Sequence, residues 1–335
     1  MKNLGFIIGI IVLLMAVMPL GVPVNDSLPA QAAEPPPPVP QEAPRLPLQY
    51  QPPPVIDGHG TGARVPEMDL SHITGQRMPD GSLVGESPVG QPPVAFDWRT
   101  QNKVTPVKNQ GGCGACYAFA AIGNVESKVL IDTNTTPPGP DYSENNAKEC
   151  NWRELNNYNC PCPPGVPWGS CDGGHYYMLA SLFSQKGIVL ETDDPYVAAN
   201  VSCNSSCPYN KTLLDWRIIS AGSVPNTTVL KTYIQANGPV YTHLYVGDPI
   251  YNPSWQAEFG AYNGSYTLYT TTTYDPNHAV LIVGWNDTLV HTGGTGGWIV
   301  KNSWNTTWGN QGYFTIAYGS ARIGEWSSYM YDWQD

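Results

Sequence analysis

The chain has 335 residues, of which 13% are charged and 41% hydrophobic, and a formal net charge of −11. That hydrophobic share is enough to build a sizeable core and excludes a disordered protein. The acidic balance gives no general attraction for nucleic acid or anionic lipid, so neither is expected as a partner.

The first predicted element is an export signal over residues 1–33. Lys2 supplies a positive start, residues 4–18 carry no charge, and Ala30-Gln31-Ala32-Ala33 offers small residues for cleavage. The uncharged run is shorter than the about 20 residues that cross a bilayer, so membrane contact is expected only if the segment stays uncleaved as an anchor. A secreted or cell-surface location follows, and export places most of the eight cysteines in disulfides. Nine Asn-x-Ser/Thr sequons, at Asn25, Asn134, Asn200, Asn204, Asn210, Asn226, Asn263, Asn286 and Asn305, favour a glycosylated surface.

Residues 34–93 hold 15 Pro and 7 Gly, a composition that cannot sustain long helices and favours extended chain. The segment reads either as an exposed linker or as a pro-segment that covers a site until it is processed. From residue 94 to 335 the texture is that of a folded domain. A helix is predicted over 116–131, from Ala118, Ile122, Val125 and Val129; its first turns are apolar on every side, which predicts burial. A second helix is predicted over 176–186 with Gly187 as its stop, and a third over 227–236. Runs at 240–246, 279–285, 298–302 and 313–318 read as strands. Helices early and strands late predict an α+β protein of two lobes.

The most informative stretch is NQGGCGACYAF, residues 109–119. Cys113 and Cys116 are spaced as a redox pair, but the strand–helix alternation of a thioredoxin-like context is missing. A zinc site would need a second pair, and neither Cys160/Cys162 nor Cys203/Cys207 has zinc-like spacing; no metal or cofactor is expected. A nucleophile explains more residues. A cysteine in the first turn of a buried helix sits where free N–H groups and the helix dipole stabilise a thiolate. It then needs a base, an orienting partner for that base, and donors for an anionic intermediate.

CGACY fits the C-G-[SA]-C-[WY] signature of papain and cathepsin cysteines. The surrounding FDWRTQNKVTPVKNQGGCGACYAF resembles the start of a mature papain-family peptidase. SENNAKEC (143–150), SCDGG (170–174), NHAVLIVGW (277–285) and GGWIVKNSWNTTWGNQGYFTIA (296–317) resemble further blocks of that family, in family order. The resemblance implies a papain-like two-lobed α+β fold, a helical lobe plus a β-barrel-like lobe with the active-site cleft between them. It implies a cysteine-type peptidase acting on protein or peptide substrates as a monomer. Cys116 would be the nucleophile, His278 its ion-pair partner and general base, Asn302 the residue that orients the imidazole, and Gln110 an oxyanion donor. Trp304 would shield the His–Asn bond, and Gly173 and Gly174 would pair with the substrate backbone, with His175 and Tyr176 as subsite walls. It also implies disulfides Cys113–Cys171 and Cys150 with Cys203 or Cys207. Glu325 is expected at the bottom of the same pocket, where it would favour a basic side chain. A transferase on the same fold, or a silent surface or adhesion protein, are the rival readings. His278 lies 162 positions after Cys116, beyond the roughly 130–150 usual in the family, so insertions are expected in 133–170 and 196–210.

Overall fold

A computed structural model describes residues 53–66, 91–151 and 169–335. The predicted export signal, most of 34–93, and Cys160 and Cys162 lie outside them. In chain order the elements are β1 (Val55–Ile56), β2 (His59–Gly60), β3 (Ala95–Asp97), α1 (Cys116–Asp132), α2 (Glu144–Glu149), α3 (Tyr176–Gln185), β4 (Ile188–Val189), β5 (Tyr209–Ile218), α4 (Thr227–Asn237), β6 (Val240–Leu244), α5 (Pro253–Gly260), β7 (His278–His291), β8 (Gly294–Lys301), β9 (Tyr313–Ala317) and β10 (Glu325–Gln334).

The apolar run after Cys116 folds as α1 and is buried from Cys116 through Ser127, because every face of it has a partner. α3 ends where Gly187 takes φ +119°, and α4 begins where the Asn226 side chain accepts from Thr228 N–H. β1 and β2 pair only with each other; the other eight strands join in one antiparallel sheet ordered β4-β5-β10-β6-β7-β8-β9, with β3 added on β7. β7 runs past the predicted 279–285 to His291, because its second half pairs with β8 as a hairpin. β5 and β10 were not predicted: each mixes charged and aromatic residues without clean alternation, and their pairing carries register shifts.

Two cores result, as the α+β two-lobed expectation requires. One gathers Tyr117, Ile122, Val125, Tyr177, Leu179 and Leu182 from α1 and α3. The other gathers Val240, Leu244, Phe259, Ile282, Trp285, Trp298 and Phe314 from α5 and the sheet. Cys113–Cys171 and Cys150–Cys203 are disulfides and Cys207 is a free thiol. Of the two partners the sequence allowed Cys150, the structure selects Cys203.

The lobes meet over buried charge. Glu126 of α1 accepts from Thr105 Oγ1, from Lys108 Nζ at 2.9 Å and from Tyr142 N–H at 3.1 Å. Lys108 Nζ also reaches Glu144 at 2.8 Å and Asp141 at 2.7 Å. From the sheet side, Lys301 Nζ donates to Thr105 Oγ1 at 3.2 Å. Burial pushes Glu144 up and Lys301 down to about 8, the cost of taking each charge out of water. Such a group is strongly coupled: removing one member strands the others. Glu126→Ala is therefore expected to lower stability by about 3–5 kcal/mol in urea denaturation. Lys128→Ala, which breaks only the i,i+4 pair with Asp132 at 2.9 Å, is expected to cost less than about 1 kcal/mol.

Candidate active site

Five segments bring their residues to one place. Cys116 is the first residue of α1 and is fully buried; the N–H of Ala279 donates to its sulfur at 3.4 Å. β7 opens on His278, so the imidazole and the sulfur's donor are sequence neighbours. His278 Nε2 donates to Asn302 Oδ1 at 2.8 Å; the acceptor fixes the tautomer, leaving Nδ1 without a partner among the described residues. Trp304 covers the pair, its ring 5.0 Å from that of His278. Phe259 of α5 meets Trp304 edge-on at 5.4 Å.

Gln110 is held at several points. Its backbone N–H donates to Ser303 O at 2.9 Å, its carbonyl accepts from Tyr196 OH at 2.8 Å, and its Oε1 accepts from Ser303 Oγ at 2.6 Å. The amide nitrogen Nε2 then faces inward. Ser303 N–H also donates to Asn302 Oδ1 at 2.8 Å, so one serine ties the Gln110 side to the His278–Asn302 side. Sequence reasoning missed Ser303 and Tyr196. The signal for Ser303 was its place directly after Asn302; Tyr196 carried none, since nothing local marks a side chain that reaches back 86 residues.

The cleft is filled by the chain itself. β1 and β2 form a hairpin whose Ile56 is buried against α5. His59 stacks on Trp304 with ring centroids 5.2 Å apart. Gly60 N–H donates to Gly111 O at 2.8 Å, and Gln110 Nε2 donates to Gly60 O at 2.7 Å. Gly62 and Ala63 N–H groups both reach Asn277 O, at 2.9 and 3.1 Å. Gly174 then pairs in parallel with Ala63, donating to Gly62 O and accepting from Arg64 N–H, both at 2.9 Å. The approach admits no side chain at two positions. A Cβ on Gly60 would lie 2.3 Å from Cys113 O, and one on Gly62 would lie 2.1 Å from Gly114 O. The exposed, linker-like reading of 34–93 is thus corrected for residues 59–64: main-chain bonding to the Gly-rich loop and to Gly174 covers what composition marked as solvated, while Asp57 and Gly58 at the hairpin turn stay exposed.

Burial also sets protonation. Loss of solvent pushes the Cys116 thiol up to about 12, against the pull of backbone N–H groups, and pushes His278 down to about 4 in spite of its bond to Asn302. Both shifts favour the uncharged forms, thiol and imidazole, while the site is buried.

Of the expected strip, Gly174 pairs with the segment and Gly173 lies against Gly62 O, while His175 is buried behind them as the residue before α3. Tyr176 does not lie along this path: its hydroxyl donates to Asn124 Oδ1 at 3.1 Å and its ring packs between Trp216 and Tyr241, because the first turn of α3 faces α1 there. Glu325 is buried, and its Oε1 is already paired with Arg322 at 2.5 Å, while Oε2 has no hydrogen-bond partner among the described residues.

A papain family cysteine protease model matches residues 92–331. The chain is 31% identical over 254 residues to Cysteine proteinase 1 of Dictyostelium discoideum, covering 74% of this chain and 67% of that protein. It is 32% identical over 223 residues to Cathepsin J of Rattus norvegicus, covering 66% and 59%. Among solved structures, digestive procathepsin L2 proteinase from Tenebrio molitor larval midgut superposes with a TM-score of 0.63 at 28% identity, covering 82% of this chain and 79% of that one. The Amb a 11 cysteine protease of ragweed pollen, in its proform, gives 0.56 at 26%, covering 74% and 69%. By its matched blocks and its two-lobed fold, the chain belongs to the papain family of cysteine proteases.

Proposed function

We propose that the chain is an exported cysteine-type peptidase, made with residues 53–66 lying across its cleft, that hydrolyses peptide bonds through a thioester on Cys116. The observation that carries this is the convergence of Cys116, His278, Asn302 and Gln110 on one buried point. Two disulfides and the apolar N-terminal run support export.

Once the segment leaves, water reaches the cleft and the desolvation that holds Cys116 and His278 neutral is relieved. Proton transfer from sulfur to His278 Nδ1 gives thiolate and imidazolium, the first favoured at the N-terminus of α1 and the second by Asn302. The thiolate attacks the substrate carbonyl carbon, and the oxygen takes the place beside Gln110 Nε2 now filled by Gly60 O. His278 returns the proton to the departing amine, the C–N bond breaks, and water, deprotonated by His278, later cleaves the C–S bond.

Chain direction explains why the covering segment survives. The departing amine must lie on the His278–Trp304 side, so a substrate runs from Gly174 towards Trp304. The segment runs the other way, from His59 on Trp304 to Ala63 on Gly174. The nitrogen of its Gly60–Thr61 bond therefore lies on the Gly174 side, away from the proton donor.

Three outcomes are expected. Processed wild type cleaves casein under mild reductant and Cys116→Ala does not; equal cleavage by both would overturn the peptidase reading. In the unprocessed chain, Gly62→Ala forces its new methyl onto Gly114 O and is expected to raise peptide hydrolysis about tenfold or more, as a weakening of segment docking by 1.4 kcal/mol or more would. Cys116 in the unprocessed chain is expected to react with iodoacetamide at neutral pH far more slowly than in the processed chain, read by mass spectrometry of the Cys116 peptide.

A further inference from the structure

The position of Ala63 carries information about substrates. Ala63 sits opposite Gly174, is 5% exposed, and belongs to the same buried cluster as Tyr177, Tyr241, Ala279 and Trp326. Whichever way a strand runs along Gly174, the residue opposite it turns its side chain to the same wall, since both Gly174 bonds are to its backbone or its neighbours'.

Large buried rings pack on one another in and around that cluster. His175 lies 5.4 Å from Tyr177, Tyr177 lies 6.4 Å from Trp326, and Tyr241 lies 5.4 Å from His243. All five are buried. His243 lies within electrostatic range of both His175 and His278, and it pairs with Ala279, the residue next to the reacting imidazole, across β6 and β7. Burial keeps His175 and His243 uncharged.

One of these residues is held there against local preference. Trp326 takes φ +53°, a left-handed backbone that a bulky residue rarely adopts. It sits where the pairing of β10 with β6 shifts register between Glu325 and Ser328, and such a bulge re-aims a side chain. The indole Nε1 has no acceptor among the described residues, and neither has His243 Nδ1 a partner, while His243 Nε2 meets Tyr241 OH at 2.7 Å. Strain and unmet hydrogen bonds at two adjoining walls mark a surface kept for contact rather than for stability.

We infer that the subsite opposite Gly174 takes only a small side chain, alanine or glycine, and that His243 and Trp326 set this limit. This rests on the peptidase reading above. In a substrate the subsite receives the second residue before the scissile bond, because the residue whose carbonyl meets Gln110 comes next.

The test uses processed protein and fluorogenic peptides that differ only at that second position, carrying Gly, Ala, Leu, Phe or Arg. The concentration of competent sites is fixed by titrating Cys116 with a thiol alkylator. Wild type is expected to give kcat/KM for Ala at least about tenfold above Leu, Phe and Arg, the order expected when extra methylenes have no room. Trp326→Ala and, independently, His243→Ala are expected to raise the Leu-to-Ala and Phe-to-Ala ratios at least tenfold per titrated site. Faster Cys116-dependent cleavage of Leu or Phe by wild type would overturn the inference and leave the peptidase reading intact. So would unchanged ratios in both variants. Failure to cleave any of the peptides or casein would overturn both.

Discussion

The structure depends on one close approach of backbone to backbone. Residues 60–64 bond to Gly111, Asn277 and Gly174 through main-chain atoms, and the approach is so tight that a methyl on Gly60 or Gly62 would collide with the loop that carries the nucleophile. The same edges are what an extended peptide needs. A cleft that binds main chain is indifferent to most side chains, which suits a peptidase, and equally suits occupation by the protein's own strand. Polarity separates the two uses: both directions satisfy Gly174, but only one puts the departing nitrogen beside His278.

That approach requires the two lobes to hold their spacing, and here the chain adds buried charge to the apolar packing of α1 and α3 on the sheet. The Lys108–Glu126–Glu144 group with Lys301 lies directly behind the site, since Lys301 adjoins Asn302 and Glu126 lies on the helix headed by Cys116. A buried ionic group is no stronger than well-packed hydrocarbon, but its bonds are directional. It fixes which parts of α1 and β8 face each other, and so where Cys116 stands relative to His278. Ser303 performs the same service at shorter range, bonding Asn302 with its N–H and Gln110 with its hydroxyl.

Much of this was legible in the sequence, and unevenly so. The ordered blocks around Cys116, His278 and Asn302 announced themselves, because catalysis needs particular residues and each lies in a short, distinctive neighbourhood. α1 was readable from its unbroken apolar character. β5 and β10 were not, since their residues are chosen by partners far away in sequence. Cys150 could not choose between Cys203 and Cys207 before the chain path was known. Tyr176 failed because adjacency along the chain to a cleft residue says nothing of rotation, and it turned to Asn124; Glu325 was expected to await a basic side chain, and Arg322 of its own chain meets it. Residues 53–66 misled through composition. Gly and Pro mark solvated chain when nothing approaches, but the alternation Gly58, Gly60, Gly62 is also what a strand needs to lie flat on another backbone.

The covered state also alters what inactivity means. An occupied cleft blocks substrate, but it does something further to the reacting groups. The covered site is buried, and burial raises the energy of both charged forms, pushing the thiol up and the imidazole down. Steric exclusion and loss of nucleophilicity therefore have one cause and are relieved together. A segment that merely plugged the entrance would leave a reactive thiolate behind it, open to small oxidants and alkylators. One that buries the sulfur, with Gly60 at Gln110, also disfavours the thiolate. The depth at which residues 60–63 are buried is thus part of the chemistry of the site and not only its cover.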